Sequence, residues 1–109
     1  MALPVTDTDA LIQQEETELT AAANMNLGAH YALAKDLDTG LKYMEAAMTL
    51  DPDDGEIRYN MAATLAALGK MDEAIQQFEA AEERGIEIAR EVINKLKAGM
   101  AKEGQDGKK

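Results

Sequence analysis

The chain has 109 residues, with 21 acidic against 11 basic side chains, one His, no Cys and no Trp, for a formal charge of −10. This bounds it to one small domain. The lack of thiols excludes disulfides, thiolate metal sites and cysteine nucleophiles, and the acidic balance excludes the concentrated basic surface that nucleic-acid phosphates require. Apolar residues make up 46% but aromatics only 4%, so the core must be built from Ala, Leu, Met and Ile, a set that favours helices over strands.

Residues 1–19 open the chain without a regular pattern. Residues 1–20 hold five acids and no base, where a secretory signal would need a basic and then an apolar stretch, and no run in the chain is long and apolar enough to span a membrane. These features predict a cytoplasmic protein with no membrane insertion. Asp9 stands where it can cap a helix running through Leu11, Ile12 and Leu19 into the next element. The alternative expectation is disorder up to about Thr17.

From residue 21 the chain repeats itself at an offset of 34 residues. Asn26 meets Asn60, Ala29 meets Ala63, Ala32 meets Ala66, Asp38 meets Asp72, and Glu45-Ala46-Ala47 meets Glu79-Ala80-Ala81. Conservative pairs such as Leu27 with Met61, Gly28 with Ala62, Leu37 with Met71 and Met44 with Phe78 extend the match. Each unit, 21–54 and 55–88, divides into two helices. The second helix of the first unit carries Leu37, Gly40, Leu41, Met44, Ala47 and Met48 at spacings of three and four, and its copy carries Met71, Ala74, Ile75, Phe78 and Ala81. Such stripes mark one buried helix face.

Punctuation falls where those helices should end. Asp51-Pro52-Asp53-Asp54-Gly55 closes the first unit, Gly69 separates the helices of the second, and Gly85 ends its second helix. Beyond it, Ala89, Val92, Ile93, Leu96 and Met100 form the stripe of one more helix, whose lysines Lys95, Lys97 and Lys102 lie toward the dipole-favoured C-terminal end. The whole pattern predicts an all-α domain over 20–101, with helices near 20–34, 37–50, 54–68, 71–84 and 87–101. Residues 102–109, with two Gly among charges and no apolar residue, are expected to form a disordered tail.

The repeat resembles the tetratricopeptide repeat, a 34-residue helix-turn-helix unit. Leu27-Gly28, Tyr31, Ala47 and Pro52 in the first unit, and Tyr59-Asn60-Met61-Ala62, Gly69, Asp72-Glu73-Ala74, Phe78 and Ala81 in the second, stand at that family's spacing. The resemblance implies an α-α superhelix of helical hairpins, here two repeats followed by a capping helix at 87–101. Two departures stand out. Asn24 and Arg58 replace the bulky aromatic usual near the start of the first helix, which should weaken packing between repeats, and Ile86 replaces the closing proline, which suggests that the array ends there. Gly40 stands where the family usually has Ala.

The sequence offers little for chemistry. His30 has no second His or Cys at ligand spacing, and the acidic turn around Asp51, Asp53, Asp54 and Glu56 lacks the glycine and terminal glutamate positions of a calcium loop. No phosphate loop, nucleophile elbow or paired carboxylate is present, so no enzyme, catalytic residue, metal site or cofactor is expected. The seven methionines fall mostly on core stripes and read as gap fillers.

The resemblance implies instead a groove, lined by the first helices of successive units, that receives a peptide or helix of a partner. On this sequence the lining is expected to be Met25, Ala29, Ala32 and Leu33 from the first unit and Tyr59, Ala63, Ala66 and Ala67 from the second. The positions that hold acidic chaperone tails in related domains carry Met25, Ala29, Glu56 and Asn60 here. Only the asparagine matches, so an apolar or amphipathic helix is the expected ligand class. The leading expectation is a non-enzymatic adaptor or scaffold. A homo-oligomer whose groove is filled by another copy, a small client-specific chaperone, and a groove covered by the chain's own ends are the alternatives.

Overall fold

The computed structural model describes residues 20–107, with side chains through Glu103. Within them the chain forms five helices and no strand: α1 (Ala21–Leu33), α2 (Leu37–Leu50), α3 (Gly55–Ala67), α4 (Met71–Glu83) and α5 (Ile88–Gly107). The expected helix through Leu11, Ile12 and Leu19 lies outside the described residues. The four hairpin helices end within a residue or two of the boundaries read from sequence. The fifth differs, because it continues past residue 101 to Gly107 where a disordered tail was expected. Ala101, Lys102 and Glu103 are good helix formers and no proline interrupts them, so nothing local stops the propagation that α5 has already begun.

Capping chemistry explains the boundaries. The Thr20 hydroxyl accepts from Ala23 N–H at 3.0 Å, and the Asp54 carboxylate accepts from Glu56 N–H at 2.9 Å and Ile57 N–H at 3.3 Å. Each satisfies donors that the first turn of a helix leaves over. At the other ends, α1, α3 and α4 close in the same way. In α3, Lys70 N–H reaches the Leu65 carbonyl and Gly69 N–H the Ala66 carbonyl, with Gly69 at φ +83°. The same pair of bonds closes α4 around Gly85 and α1 around Lys35. Lys35 holds φ +72° with a side chain in place, a left-handed conformation that glycine adopts far more cheaply.

The helices pack as two antiparallel hairpins, α1 on α2 and α3 on α4. Helix α2 lies against α3, α1 touches α3, and α5 packs on α4. One core runs from Met44 of α2 through Met61, Ala62 and Leu65 of α3 and Ala74, Ile75, Phe78 and Ala81 of α4 to Ala89 and Ile93 of α5. A smaller cluster of Met25, Ala47 and Ile57 ties α1, α2 and α3 together. Phe78 is 2% exposed and meets Tyr59 edge-to-face, ring centroids 5.2 Å apart. Helix α5 buries Ala89 and Ile93 but shows Glu91, Asn94, Lys95 and Lys102 to solvent. Ile88 and Met100 of the same helix are exposed as well.

Small residues set how closely the hairpins close. A Cβ on Gly28 would lie 2.8 Å from the Gly40 carbonyl oxygen, and one on Gly40 would lie 2.7 Å from the Gly28 carbonyl oxygen. The two backbones therefore touch at the α1–α2 crossing, closer than any pair bearing Cβ atoms could come. The second hairpin uses Ala62 and Ala74 at the matching positions, both fully buried.

The joint between the hairpins is polar. Arg58 donates from Nε and Nη2 to the Pro52 carbonyl at 3.3 and 3.1 Å and from Nη1 to Gln77 Oε1 at 3.1 Å. Arg84 donates from Nε to the same Pro52 carbonyl at 3.2 Å. The missing aromatic at Arg58 is thus replaced by a guanidinium that ties the second hairpin to the turn closing the first. A planar, multiply donating group suits that task.

Candidate protein-interaction surface

The first helices of the two hairpins stand apart from the rest of the chain in chemistry. Across 13 residues, α1 contains no Asp, Glu, Lys or Arg. Helix α3 contains only Glu56 and Arg58, and the Arg58 guanidinium is occupied at the joint. In a chain with 29% charged residues, these two touching helices make a nearly neutral layer.

Their exposed residues fall on one register. On α1, Ala22, Asn26, His30 and Leu33 face solvent, with Ala29 half-buried, and on α3, Glu56, Ala63 and Ala67 are exposed, with Asn60 half-buried. Leu33 is 83% exposed, the most open large apolar residue among those described. Ala22, Asn26, Ala29 and Leu33 coincide at an offset of 34 with Glu56, Asn60, Ala63 and Ala67, so two adjacent helices present the same strip. The repeated Asn26 and Asn60 put a side-chain amide, both donor and acceptor, at matching heights.

The residues expected at the groove divide. Leu33, Ala63 and Ala67 are exposed on the strip, and Ala29 lies at its edge. Met25 is 8% exposed and belongs to the cluster with Ala47 and Ile57. Ala32, Tyr59 and Ala66 lean on the main core, Ala32 beside Gly40 and Tyr59 against Phe78. Ala22 and Asn26, exposed on the same strip, are not among the residues expected at the groove, and Asn60 is there only as the one match to the acidic-tail positions. The available signal was the recurrence of Asn26 at Asn60, an identical polar residue at the same place in both units.

Other candidate chemistry is accounted for locally. His30 is on the helix surface, its ring 6.1 Å from that of Tyr31 in an edge-on arrangement. The acidic turn uses Asp54 as the α3 cap, and no cluster among the described residues could hold a metal ion. The strongest exposed ion pair, Arg90 with Glu82 at 2.6 and 2.8 Å, joins the start of α5 to the end of α4. The bond from Arg90 holds the Glu82 carboxyl below its usual value of 4.5.

An all-helical array of paired hairpins, with glycine and alanine at its crossings, is a helical-repeat architecture. The tetratricopeptide repeat family model matches residues 31–85. The chain belongs to the tetratricopeptide repeat family, whose members generally mediate contacts between proteins. No curated protein matches the chain. Among the described residues, no helix is long and apolar enough to cross a membrane.

Proposed function

We propose that this two-repeat domain is a non-enzymatic adaptor that receives an apolar or amphipathic helix on the α1–α3 strip. The carrying observation is the near absence of charge on that strip within a strongly acidic chain. A partner docked there gives up few charge–water contacts, and charged residues are depleted at the centres of protein interfaces for this reason. Leu33, Ala63 and Ala67 supply apolar area, and Asn26 and Asn60 can hydrogen-bond the polar edge of the incoming segment. With so few large anchors, binding would be modest and would depend on shape.

The test uses helical peptides selected from a displayed library for binding to the full chain. In the variant Ala63→Arg together with Ala67→Arg, both changes fall on exposed positions and keep good helix formers, so circular dichroism should be unchanged. Affinity should fall at least about tenfold as long charged side chains obstruct the strip. Lys95→Ala, on the far face of α5, should leave it intact. Peptides indifferent to the double change would place binding elsewhere and refute the proposal. Light scattering on the same samples decides whether the occupant is a second copy, since a wild-type dimer would then become a monomer in the double variant.

A further inference from the structure

Helix α5 is fastened to α4 differently along its length. Near its start Ala89 and Ile93 are fully buried, and Arg90 bonds Glu82 at 2.6 and 2.8 Å. Among the described residues, that pair is the one hydrogen-bonded or ionic side-chain tie between the two helices. Beyond Ile93 the contact narrows to apolar side chains. Leu96 is half-buried and Met100 is 37% exposed. A Cβ added to Gly99 would meet no heavy atom within 4 Å, so the α5 backbone stands clear of α4 there. Met100 borders two clefts, one of about 500 Å³ over Ile75 with Lys97 as a wall, the other of about 180 Å³ shared with Met71, Leu96 and Gly99. Lys97 and Gly99 flank Leu96 and Met100 on opposite sides of the helix. The later turns of α5 therefore rest on α4 along one narrow ridge with a cleft on each side.

We infer that this ridge is an oxidation-sensitive strap, in which a peroxide oxidises Met100 and Met71 and the resulting sulfoxides release the C-terminal half of α5 from α4. The fold sorts the methionines by access. Met25, Met44 and Met61 are buried in the two clusters, and half-buried Met48 packs against both. Met71 and Met100 open onto the same cleft. In the reaction the O–O bond of hydrogen peroxide breaks and an S=O bond forms, the sulfur gives up two electrons, and the peroxide leaves as water. A sulfoxide oxygen holds water, and it draws water between surfaces that apolar contact alone keeps together. The Arg90 pair and Ile93 hold the first turns in place, so the chain is freed from about Leu96 onward and Ile75 is uncovered. Methionine sulfoxide reductases restore the thioether, which closes the strap again. The strap shares no residue with the α1–α3 strip, so its test is independent of the proposed function.

Hydrogen peroxide applied to the full chain, read by peptide mass mapping and amide hydrogen exchange, tests the inference. Met100 and Met71 should oxidise at least about tenfold faster than Met25, Met44 and Met61. Once both carry oxygen, the amides of residues 97–101 should exchange at least about tenfold faster, while those of α3 keep their protection. The double variant Met71→Leu with Met100→Leu conserves volume and apolar character, and should keep wild-type exchange both before and after peroxide. Buried methionines oxidised as fast as Met100 would overturn the inference, as would complete oxidation of Met71 and Met100 with exchange at 97–101 unchanged. A double variant that loosens under peroxide as the wild type does would overturn it by assigning the effect to other residues. Amides at 97–101 already at the unstructured rate before any oxidant would overturn it too, since no strap would then be fastened.

Discussion

Replacing Gly40 by Ala moves the chain toward its family's usual residue and should nevertheless destabilise it. On propensity alone the change is favourable by about 1 kcal/mol, since glycine is the costliest ordinary residue inside a helix. The structure opposes it. The new Cβ would sit 2.7 Å from the Gly28 carbonyl oxygen, 3.1 Å from the Ala32 nitrogen and 3.3 Å from the Ala32 Cβ. The two nearest atoms are backbone of α1, so no side chain can turn aside and the helices must separate. Overpacking of this kind costs about 1–3 kcal/mol, giving a net loss of about 0–2 kcal/mol. Gly99→Ala supplies the control, because Gly99 lies within α5 with no heavy atom within 4 Å of the added carbon. It should stabilise by up to about 1 kcal/mol. The difference between the two variants removes the propensity contribution and isolates the crossing at about 1–3 kcal/mol. Melting followed by circular dichroism resolves this, as 1 kcal/mol moves Tm by about 4–8 °C in a domain of this size. Equal stabilisation by the two changes would refute the close approach of α1 and α2.

Two further predictions follow from the turns and the ion pair. Lys35→Gly should raise stability by about 1 kcal/mol in urea denaturation, because Lys35 holds φ +72° where its counterpart in the second hairpin is Gly69; an unchanged or lowered midpoint would refute the left-handed cap. Arg90→Met should lower Tm at neutral pH, and the gap to wild type should close as pH falls below the usual carboxylate value of 4.5. The sign follows from the depressed Glu82 carboxyl, whose contribution is present above its unfolded value and lost as the folded group takes up its proton. A gap constant down to pH 3 would show that Arg90 acts through packing.

The helices were legible because their ends are written in residues with single conformational meanings. The Asp51–Gly55 turn with its proline breaks the chain, Gly69 and Gly85 turn, and the stripes of α2 and α4 have one apolar side each. The strip on α1 and α3 was less legible for a physical reason. Helices rich in alanine and apolar on most sides carry almost no periodic signal, so the exposed face differs by about one residue from the face expected in the sequence. Met25 and Ala66 turned inward, while Ala22, Asn26 and Asn60 turned out. Arg58 illustrates a different limit. From sequence it registers as an aromatic lost, whereas its function depends on the distance to a backbone carbonyl, which no residue type encodes.

The convergence of two arginines on the Pro52 carbonyl has a consequence for how the array tolerates change. Every amino acid supplies a carbonyl at that place, so the joint does not read the identity of residue 52. It reads the number of residues between α2 and α3. Substitutions along the turn from Asp51 to Asp53 leave the acceptor where it is, while one inserted or deleted residue withdraws it from Arg58 and Arg84 together. The angle between the hairpins is thereby tied to the length of a four-residue connection, and drift in this family member is free in spelling at the joint but constrained in count.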